Sequence, residues 1–199
     1  MELTVLAAAG ATGVELTRQA LARGHIVTAI ARAPERIAVP DSDRLIRVAA
    51  DVTDPEGIAK ALRGSEIVLS GLGGAGILAA GARAAVDAGR VVWLGAFGTG
   101  ESAARAGWAT RALLGTFMRS ELPDRTGADA TVLRAGGTVF HAGPLSNGTV
   151  SPTRRTVGID GAPRRFFPAR VSRATVAAGM IDEAESPRYP GAIAVPLER

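Results

Sequence analysis

A short run of small residues near the amino terminus is the feature of this sequence that most clearly could do chemistry. Gly10, Ala11, Thr12 and Gly13 follow an apolar segment and precede Val14, where a helical pattern begins. Such a turn lets the backbone approach a pyrophosphate closely, and the free amides at the start of a helix carry partial positive charge. The same glycines could serve only the geometry of a tight turn. The spacing predicts that this turn, Val14 included, holds the phosphates of a dinucleotide.

The elements that must position this turn alternate between short apolar strands and alanine-rich helices. The predicted strands are 3–9, 26–31, 45–49, 66–70, 91–95 and 130–134, and the predicted helices are 14–23, 55–62, 77–88, 103–122 and a last one from Ser172 to Glu183. This order gives a parallel sheet with helices on both faces. We expect a Rossmann-like, doubly wound α/β fold in a single domain, 1–199. Its irregular C-terminal region, about 136–199 with a strand near 155–160, would form the substrate side.

Arg32 stands at the end of the second predicted strand and bears on the choice of cofactor. Rossmann proteins that prefer NAD(H) usually place an acidic residue here for the ribose hydroxyls, whereas an arginine can neutralise the 2′-phosphate of NADP(H). No acidic residue occupies this position. Although Arg32 could also be an ordinary surface residue before Pro34, we expect NADP(H) to be preferred over NAD(H).

Three stretches of the sequence resemble a known family. They read Ala-Ala-Gly-Ala-Thr-Gly, Thr-Arg-Gln-Ala-Leu-Ala-Arg-Gly-His and Val-Thr-Ala-Ile-Ala-Arg. They are similar to the atypical short-chain dehydrogenase/reductases, above all to the NAD(P)H-binding group with biliverdin-IXβ reductases, flavin reductases and NmrA-like redox regulators. The resemblance covers about residues 3–135 and 171–184. The family usually has Gly-x-x-Gly-x-x-Gly, and Leu16 here stands in the third glycine's place, which predicts a turn and helix shorter by about three residues.

The resemblance also implies where the rest of the cofactor would lie. Asp51 and Val52 would sit beside the adenine, although Asp51 could equally cap a helix or form a turn before Pro55. Contacts along the ribose, the pyrophosphate and the nicotinamide are implied for Gly71, Leu72, Gly73, Ala96, Ala135 and Gly136. The last two would follow the sixth predicted strand, where they could also serve a tight turn.

The side chains needed for alcohol oxidation are missing from the sequence. Short-chain dehydrogenases use a Tyr-x-x-x-Lys pair, in which the cation lowers the pKa of the tyrosine. Here the only tyrosine is Tyr189, the only lysine is Lys60, and Ala96 replaces the serine that often accompanies the pair. His141, predicted in a loop after the sixth strand, is the candidate catalytic proton donor, although a lone histidine is more often structural.

Without that pair, the cofactor would supply the chemistry and the protein would supply position and electrostatics. The sequence therefore predicts an NADPH-dependent reductase of a small flat acceptor, such as a flavin, a quinone or an enone. A catalytically silent NADP(H) sensor is the main alternative, and an isomerase or lyase on the same fold is another. The aromatic residues that could line a flat pocket are Phe97, Trp108, Phe117, Phe140, Phe166 and Phe167.

The composition limits the partners and the compartment. The absence of cysteine excludes disulfides and thiolate sites and suits the reducing cytoplasm, and no His and carboxylate cluster predicts a metal. Arginine supplies 22 of the 23 basic residues, but these are scattered, so we expect a small-molecule substrate rather than nucleic acid. No apolar run is long enough for a membrane helix. The helix patterns do not distinguish a monomer from a homodimer.

Overall fold

The protein's structure, a computed structural model, describes residues 1–105, 107, 121–163 and 168–198. Most of the predicted helix 103–122 lies outside these residues, as do Trp108, Phe117, Phe166 and Phe167. Among the described helices, none has the length and apolar character needed to cross a membrane.

The helices begin where the sequence supplies capping groups or small residues. Asp54 accepts a hydrogen bond from the Gly57 amide at 3.1 Å, with Pro55 in the first helical position. The Ser172 hydroxyl accepts one from the Thr175 amide at 3.0 Å, as expected of residues that favour helix starts. The described helices are α1 (Ala11–Ala22), α2 (Pro55–Leu62), α3 (Leu78–Ala88), α4 (Leu122–Arg134) and α5 (Arg173–Glu185).

The strands are short runs rich in β-branched and other apolar residues. They are β1 (Glu2–Leu6), β2 (Ile26–Ala31), β3 (Leu45–Ala49), β4 (Ile67–Ser70), β5 (Arg90–Ala96), β6 (Thr138–Ala142), β7 (Leu145–Ser146), β8 (Arg155–Gly158), β9 (Val171–Ser172) and β10 (Ile193–Leu197). Eight of them form one sheet in the order β3-β2-β1-β4-β5-β6-β10-β8, and β7 pairs with β9 separately. All neighbours in the large sheet are parallel except β10 and β8.

The order of strands reverses between β1 and β4, and this reversal fixes where a ligand can lie. Chain order runs outward in one direction from β1 to β3 and in the other from β4 to β6. In such sheets a crevice opens at the carboxyl ends of the strands at the reversal point. The predicted Rossmann-like, doubly wound α/β fold is confirmed, and the glycine turn after β1 lies at this crevice.

Helices cover both faces of the sheet, so the strands are buried on both sides. On one face Leu16 of α1 and Met180 of α5 pack against the strands. On the other face Ile58 of α2 and Val132 of α4 join a core that includes Trp93, which is only 1% exposed. The helices therefore shield both faces of the strands from solvent, as expected of a parallel sheet.

The sixth strand is not where the sequence predicts it. Residues 130–134 form the last turns of α4, and the strand beside β5 is β6, at Thr138–Ala142. Thr131 and Val132 suggest a strand by type, but Ala128, Asp129 and Val132 are buried at helical spacing, and the Thr131 hydroxyl donates to the Gly127 carbonyl at 2.9 Å. Burial of one helix face overrides the β preference of this short segment.

The region after residue 136 is also more regular than predicted. It supplies three strands of the central sheet, β6, β8 and β10, and the helix α5. The predicted strand near 155–160 is present as β8, followed by a single 3-10 turn at Ile159–Gly161. Between β6 and α5, the described residues outside β7, β8, β9 and this turn are irregular.

Candidate functional site

The turn after β1 contains the full three-residue spacing of a dinucleotide fingerprint. The strand ends at Leu6, and Ala7 takes a φ of +62°, the one positive value for a non-glycine residue in the described part of the chain. Ala7, Gly10 and Gly13 thus fall where a Gly-x-x-Gly-x-x-Gly motif has its glycines. The predicted shortening at Leu16 is wrong, because the motif begins three residues earlier, and Leu16 is a fully buried core residue.

Gly13 brings the start of α1 directly against the turn. A Cβ at Gly13 would lie 2.1 Å from the carbonyl oxygen of Ala7, which is shorter than any tolerated contact with backbone. A Cβ at Gly71, after β4, would lie 3.2 Å from the Gly13 nitrogen. Helix, turn and the β4 loop therefore approach one another through positions that lack side chains, as close helix–strand packing in this motif requires.

The first amides of α1 point to the phosphate-binding role predicted for this turn. The amide of Gly10 donates to the Ala7 carbonyl and that of Val14 to the Gly10 carbonyl, at 2.9 and 2.8 Å. The amides of Ala11, Thr12 and Gly13 have no partner among the described residues, and no side chain caps the helix. Three unsatisfied donors at the positive end of a helix dipole suit an anion.

A cleft of about 830 Å³ runs along this edge of the sheet. The predicted cofactor residues that line it are Gly10, Arg32, Asp51, Val52, Gly71, Leu72 and Gly73. The cleft extends from the ends of β2 and β3, past the glycine turn, to the loop after β4. Its length along four strand ends suits an extended ligand with an anionic centre.

The end of the cleft beyond β2 is lined by two arginines. Arg32 follows β2 directly, and Arg36, which sequence reasoning missed, returns to the cleft because a 3-10 turn occupies Pro34–Arg36. Both are exposed, and neither forms an ion pair with the described residues. Pro34, the first residue of this turn, was the available signal for Arg36, because a single turn after β2 keeps the chain at the same cleft as Arg32.

Asp51 combines the two roles that the sequence left open. Its carboxylate accepts hydrogen bonds from the Thr53 amide at 2.9 Å and hydroxyl at 2.8 Å, while the residue also lines the cleft. These bonds from Thr53, and next to them the charge of Arg32, lower the pKa of Asp51 below its usual value. Asp51 is a fixed carboxylate beside Arg32, and the helix cap is supplied by Asp54 instead.

Two predicted cofactor residues lie at the wrong edge of the sheet. Ala135 follows the last residue of α4, and Gly136 pairs with Gly191 before β6 begins. Because β6 runs parallel to β5, residues that precede it lie at the amino ends of the strands, opposite the cleft. The expectation that Ala135 and Gly136 border the nicotinamide is wrong, and its cause is the misplaced sixth strand. Ala96 does end β5 at the carboxyl edge.

His141 is a strand residue rather than a loop residue. It lies within β6, is 1% exposed, and uses both ring nitrogens. Nδ1 lies 2.6 Å from the Ser102 hydroxyl oxygen, and Nε2 lies 3.1 Å from Oδ2 of Asp129, both of which are buried. The structure thus places His141 in a buried side-chain network, and the prediction of a loop histidine facing a substrate is corrected.

A group of apolar residues lies at the carboxyl ends of β5, β6 and β10. A small pocket there is lined by Phe97, Gly143, Ala162, Pro163, Pro168 and four further residues, Ala169, Val195, Pro196 and Leu197. Tyr189 is not part of it, because its hydroxyl donates to the Thr156 carbonyl at 2.9 Å and its own carbonyl accepts from Thr138, the first residue of β6. Phe140 is buried in the core, so of the aromatic residues predicted for a flat pocket, Phe97 lies here.

Comparison with protein families assigns the chain to a family of nucleotide-binding proteins. The family described as NAD(P)H-binding matches residues 7–187, nearly the whole chain, starting at the turn residue Ala7. The chain belongs to this NAD(P)H-binding family. Among the curated proteins, none matches the chain.

Solved structures of related fold agree with that assignment. ChuY, an anaerobillin reductase from Escherichia coli O157:H7, superposes with a TM-score of 0.79 at 20% identity, over 100% of this chain and 97% of its own. A short-chain dehydrogenase/reductase from Veillonella parvula in complex with NADP gives 0.81 at 19% identity, over 98% and 93%. A candidate NADH-flavin reductase from Streptococcus pneumoniae gives 0.72 at 21% identity, over the full length of both chains. The chain has the fold of the NAD(P)H-dependent oxidoreductases.

Replacing Ala7 by glycine should raise the stability of the protein. Alanine at a φ of +62° is strained, and a left-handed residue with a Cβ costs about 1–2 kcal/mol, part of which glycine returns through its freer unfolded chain. We expect a net rise of about 1 kcal/mol in the free energy of unfolding, measured by urea denaturation. The neighbouring change Ala9→Gly is the control and should lower it. Equal losses for both variants would show that Ala7 is unstrained.

Proposed function

We propose that this protein is an NADP(H)-dependent reductase that delivers hydride to a small, flat, largely apolar acceptor such as a flavin, a quinone or an enone. When bound, the nicotinamide ring of the cofactor supplies the hydride. The side chains described above bind and orient the two reactants. The observation that carries the proposal is the pairing of Arg32 and Arg36 at one end of the cleft with an apolar pocket beyond the other end.

The arginine end supports NADP(H) rather than NAD(H). A 2′-phosphate is a compact dianion, and guanidinium groups bind phosphate through paired, charge-assisted hydrogen bonds. Neither guanidinium is engaged in an ion pair within the described part of the chain. The hydrogen bonds from Thr53 keep the pKa of Asp51 low, so its carboxylate offsets part of the positive charge of Arg32. It forms no ion pair with Arg32, which leaves that guanidinium available to a phosphate.

The residues at the pocket end support hydride transfer with little side-chain acid. Phe97 and the prolines Pro163 and Pro168 offer flat apolar surfaces, which would help to exclude water from the place where an acceptor meets the nicotinamide. His141 is enclosed between Ser102 and Asp129, so it is not positioned to donate a proton to the substrate directly. Acceptors that take hydride and exchange their proton with solvent, such as flavins and quinones, fit this arrangement best.

A direct test mixes the full-length protein with NADPH and a panel of flavins, quinones and enones, and follows the oxidation of NADPH by its absorbance. We expect turnover with at least one flat acceptor and faster turnover with NADPH than with NADH. Calorimetric titration with NADPH, NADP, NADH and NAD runs beside it. Tight binding without any turnover would replace the proposal by a redox sensor, which the burial of His141 would also suit. No binding of any of the four nucleotides would overturn both.

A further inference from the structure

Helix α4 does not line the cleft. Two carboxylates of α4 are nevertheless connected to the loops at the nicotinamide end of the cleft. Asp124, in its first turn, contacts the start of α3, and Asp129, one and a half turns later, contacts His141 of β6. We propose that Asp124 and Asp129 are positioning residues, through which α4 sets the two loops that border the reacting end of the cofactor. The assignment of that end rests on the proposed function.

The first connection runs from Asp124 to the loop after β4. Its Oδ2 accepts from the Leu78 amide at 3.0 Å and its Oδ1 from the Ala79 amide at 2.9 Å. No local side chain caps α3, so Asp124 satisfies amides that would otherwise be orphans and adds negative charge at the positive helix end. A residue from another helix thereby fixes the point where α3 begins.

The loop that ends at this point needs such an anchor. Residues 71–77 contain four glycines, of which Gly74 and Gly76 take φ values of +123° and +75°. Glycine loses more conformational freedom on ordering than any other residue. Gly71, Leu72, Gly73 and Ile77 line the cofactor cleft, so the shape of this wall depends on where α3 is held.

The second connection runs from Asp129 through His141 to the loop after β5. A carboxylate only accepts, so the contact of 3.1 Å assigns a proton to Nε2 of His141, which donates to Oδ2 of Asp129. Nδ1 then lies 2.6 Å from the Ser102 oxygen. A Cβ at Gly95 would lie 2.7 Å from the imidazole, so β5 makes room for this ring by carrying a glycine.

Ser102 ties the loop 97–102 to this network. Its oxygen accepts from the Gly98 amide at 2.8 Å, and its hydroxyl hydrogen has two acceptors within reach, the Thr99 carbonyl at 2.9 Å and Nδ1 of His141. Ser102, Asp129 and His141 are each at least nine-tenths buried. A serine enclosed in this way holds a loop in place rather than attacking a substrate. We call this chain of contacts from Asp129 through His141 to Ser102, and the contact of Asp124 with the start of α3, the two struts of α4.

Both struts start on the same helix and end on different walls of the same site. The β4 loop lies beside the glycine turn, and the β5 loop carries Phe97 at the apolar pocket. Removing one carboxylate should therefore loosen one wall and leave the other in place. This pattern separates a positioning role from a general contribution to folding.

Hydrogen–deuterium exchange on the full-length protein tests the two struts independently of any cofactor. In Asp124→Ala we expect amide exchange in residues 71–79 to be about tenfold faster, with residues 97–103 unchanged, because a lost hydrogen bond of this kind weakens local protection by about that factor. In Asp129→Ala we expect the reverse. Thr131→Ala, on the same helix and with its hydroxyl hydrogen-bonded to the Gly127 carbonyl of that helix, is the matched control and should change neither segment.

Kinetic measurements then connect the struts to function. Asp124→Ala should raise the dissociation constant for NADPH, and Asp129→Ala should lower kcat for the acceptor while leaving that constant within about twofold of the parent protein. Faster exchange in both segments for both variants, or in neither segment, would overturn the positioning roles. If the parent protein binds no nucleotide, the proposed function fails, while the exchange pattern still decides whether α4 holds the two loops.

Discussion

Replacing Gly13 by alanine should abolish NADP(H) binding and lower the free energy of unfolding by about 3 kcal/mol. The added Cβ would lie 2.1 Å from the Ala7 carbonyl oxygen and 2.7 Å from the Ala8 Cα, which are backbone atoms with no rotamer to change. Relief requires α1 to move away from the turn. That movement would also displace the free amides of Ala11 and Thr12 relative to the glycine turn. Urea denaturation and calorimetric titration with NADPH measure the two effects.

Gly127 provides the matched control for this substitution. It lies within α4, where a Cβ would meet nothing within 4 Å. Because alanine is favoured over glycine in a helix by about 1 kcal/mol, Gly127→Ala should raise stability and leave NADPH affinity unchanged. If Gly13→Ala binds NADPH as tightly as the parent protein, the close approach of α1 to the turn has no part in cofactor binding.

The glycine turn was readable from sequence because its chemistry is local. Gly10 and Gly13 stand between a strand and a helix, and that context is what the fingerprint requires. The register of the motif was not readable in the same way. Ala7 occupies the first position with a left-handed backbone, a conformation that alanine rarely adopts, so residue type gave no indication of it.

The sixth strand shows where local patterns fail. The segment 130–134 and β6 both contain β-branched residues, and only the packing of α4 on the sheet decides which of them pairs with β5. An error here moves Ala135 and Gly136 to the opposite edge of the sheet. It also assigns His141 to a loop, whereas the residue lies in a buried strand.

The contacts that form the two struts of α4 could not be predicted from the sequence for a different reason. Ser102, Asp129 and His141 are separated by 27 and 12 residues, and nothing in their local sequence indicates contact. Their meeting depends on the order of β5 and β6 in the sheet and on the helix that covers them. Side-chain networks of this kind follow from tertiary structure, which one sequence does not supply.

Replacing Arg32 by alanine should weaken NADPH binding by about ten- to a hundredfold, because hydrogen bonds to charged groups contribute about 1.5–3 kcal/mol each. NADH lacks the 2′-phosphate, so its affinity should change by less than about twofold. Arg36→Ala should show the same selectivity with a smaller loss, because Arg36 reaches the cleft from the following turn. Calorimetric titration of each variant with both cofactors measures the difference.

Arg63→Ala is the control, because this substitution removes the same charge from the protein at a separate groove between α2 and α3. Its effect on NADPH affinity should be small and should disappear at high salt, because it acts only through the long-range field. The loss caused by Arg32→Ala should persist at high salt, because direct contacts to a phosphate are less screened than distant charges. Equal losses for NADPH and NADH would mean that Arg32 recognises a part common to both cofactors, and the preference for NADP(H) would lose its structural basis.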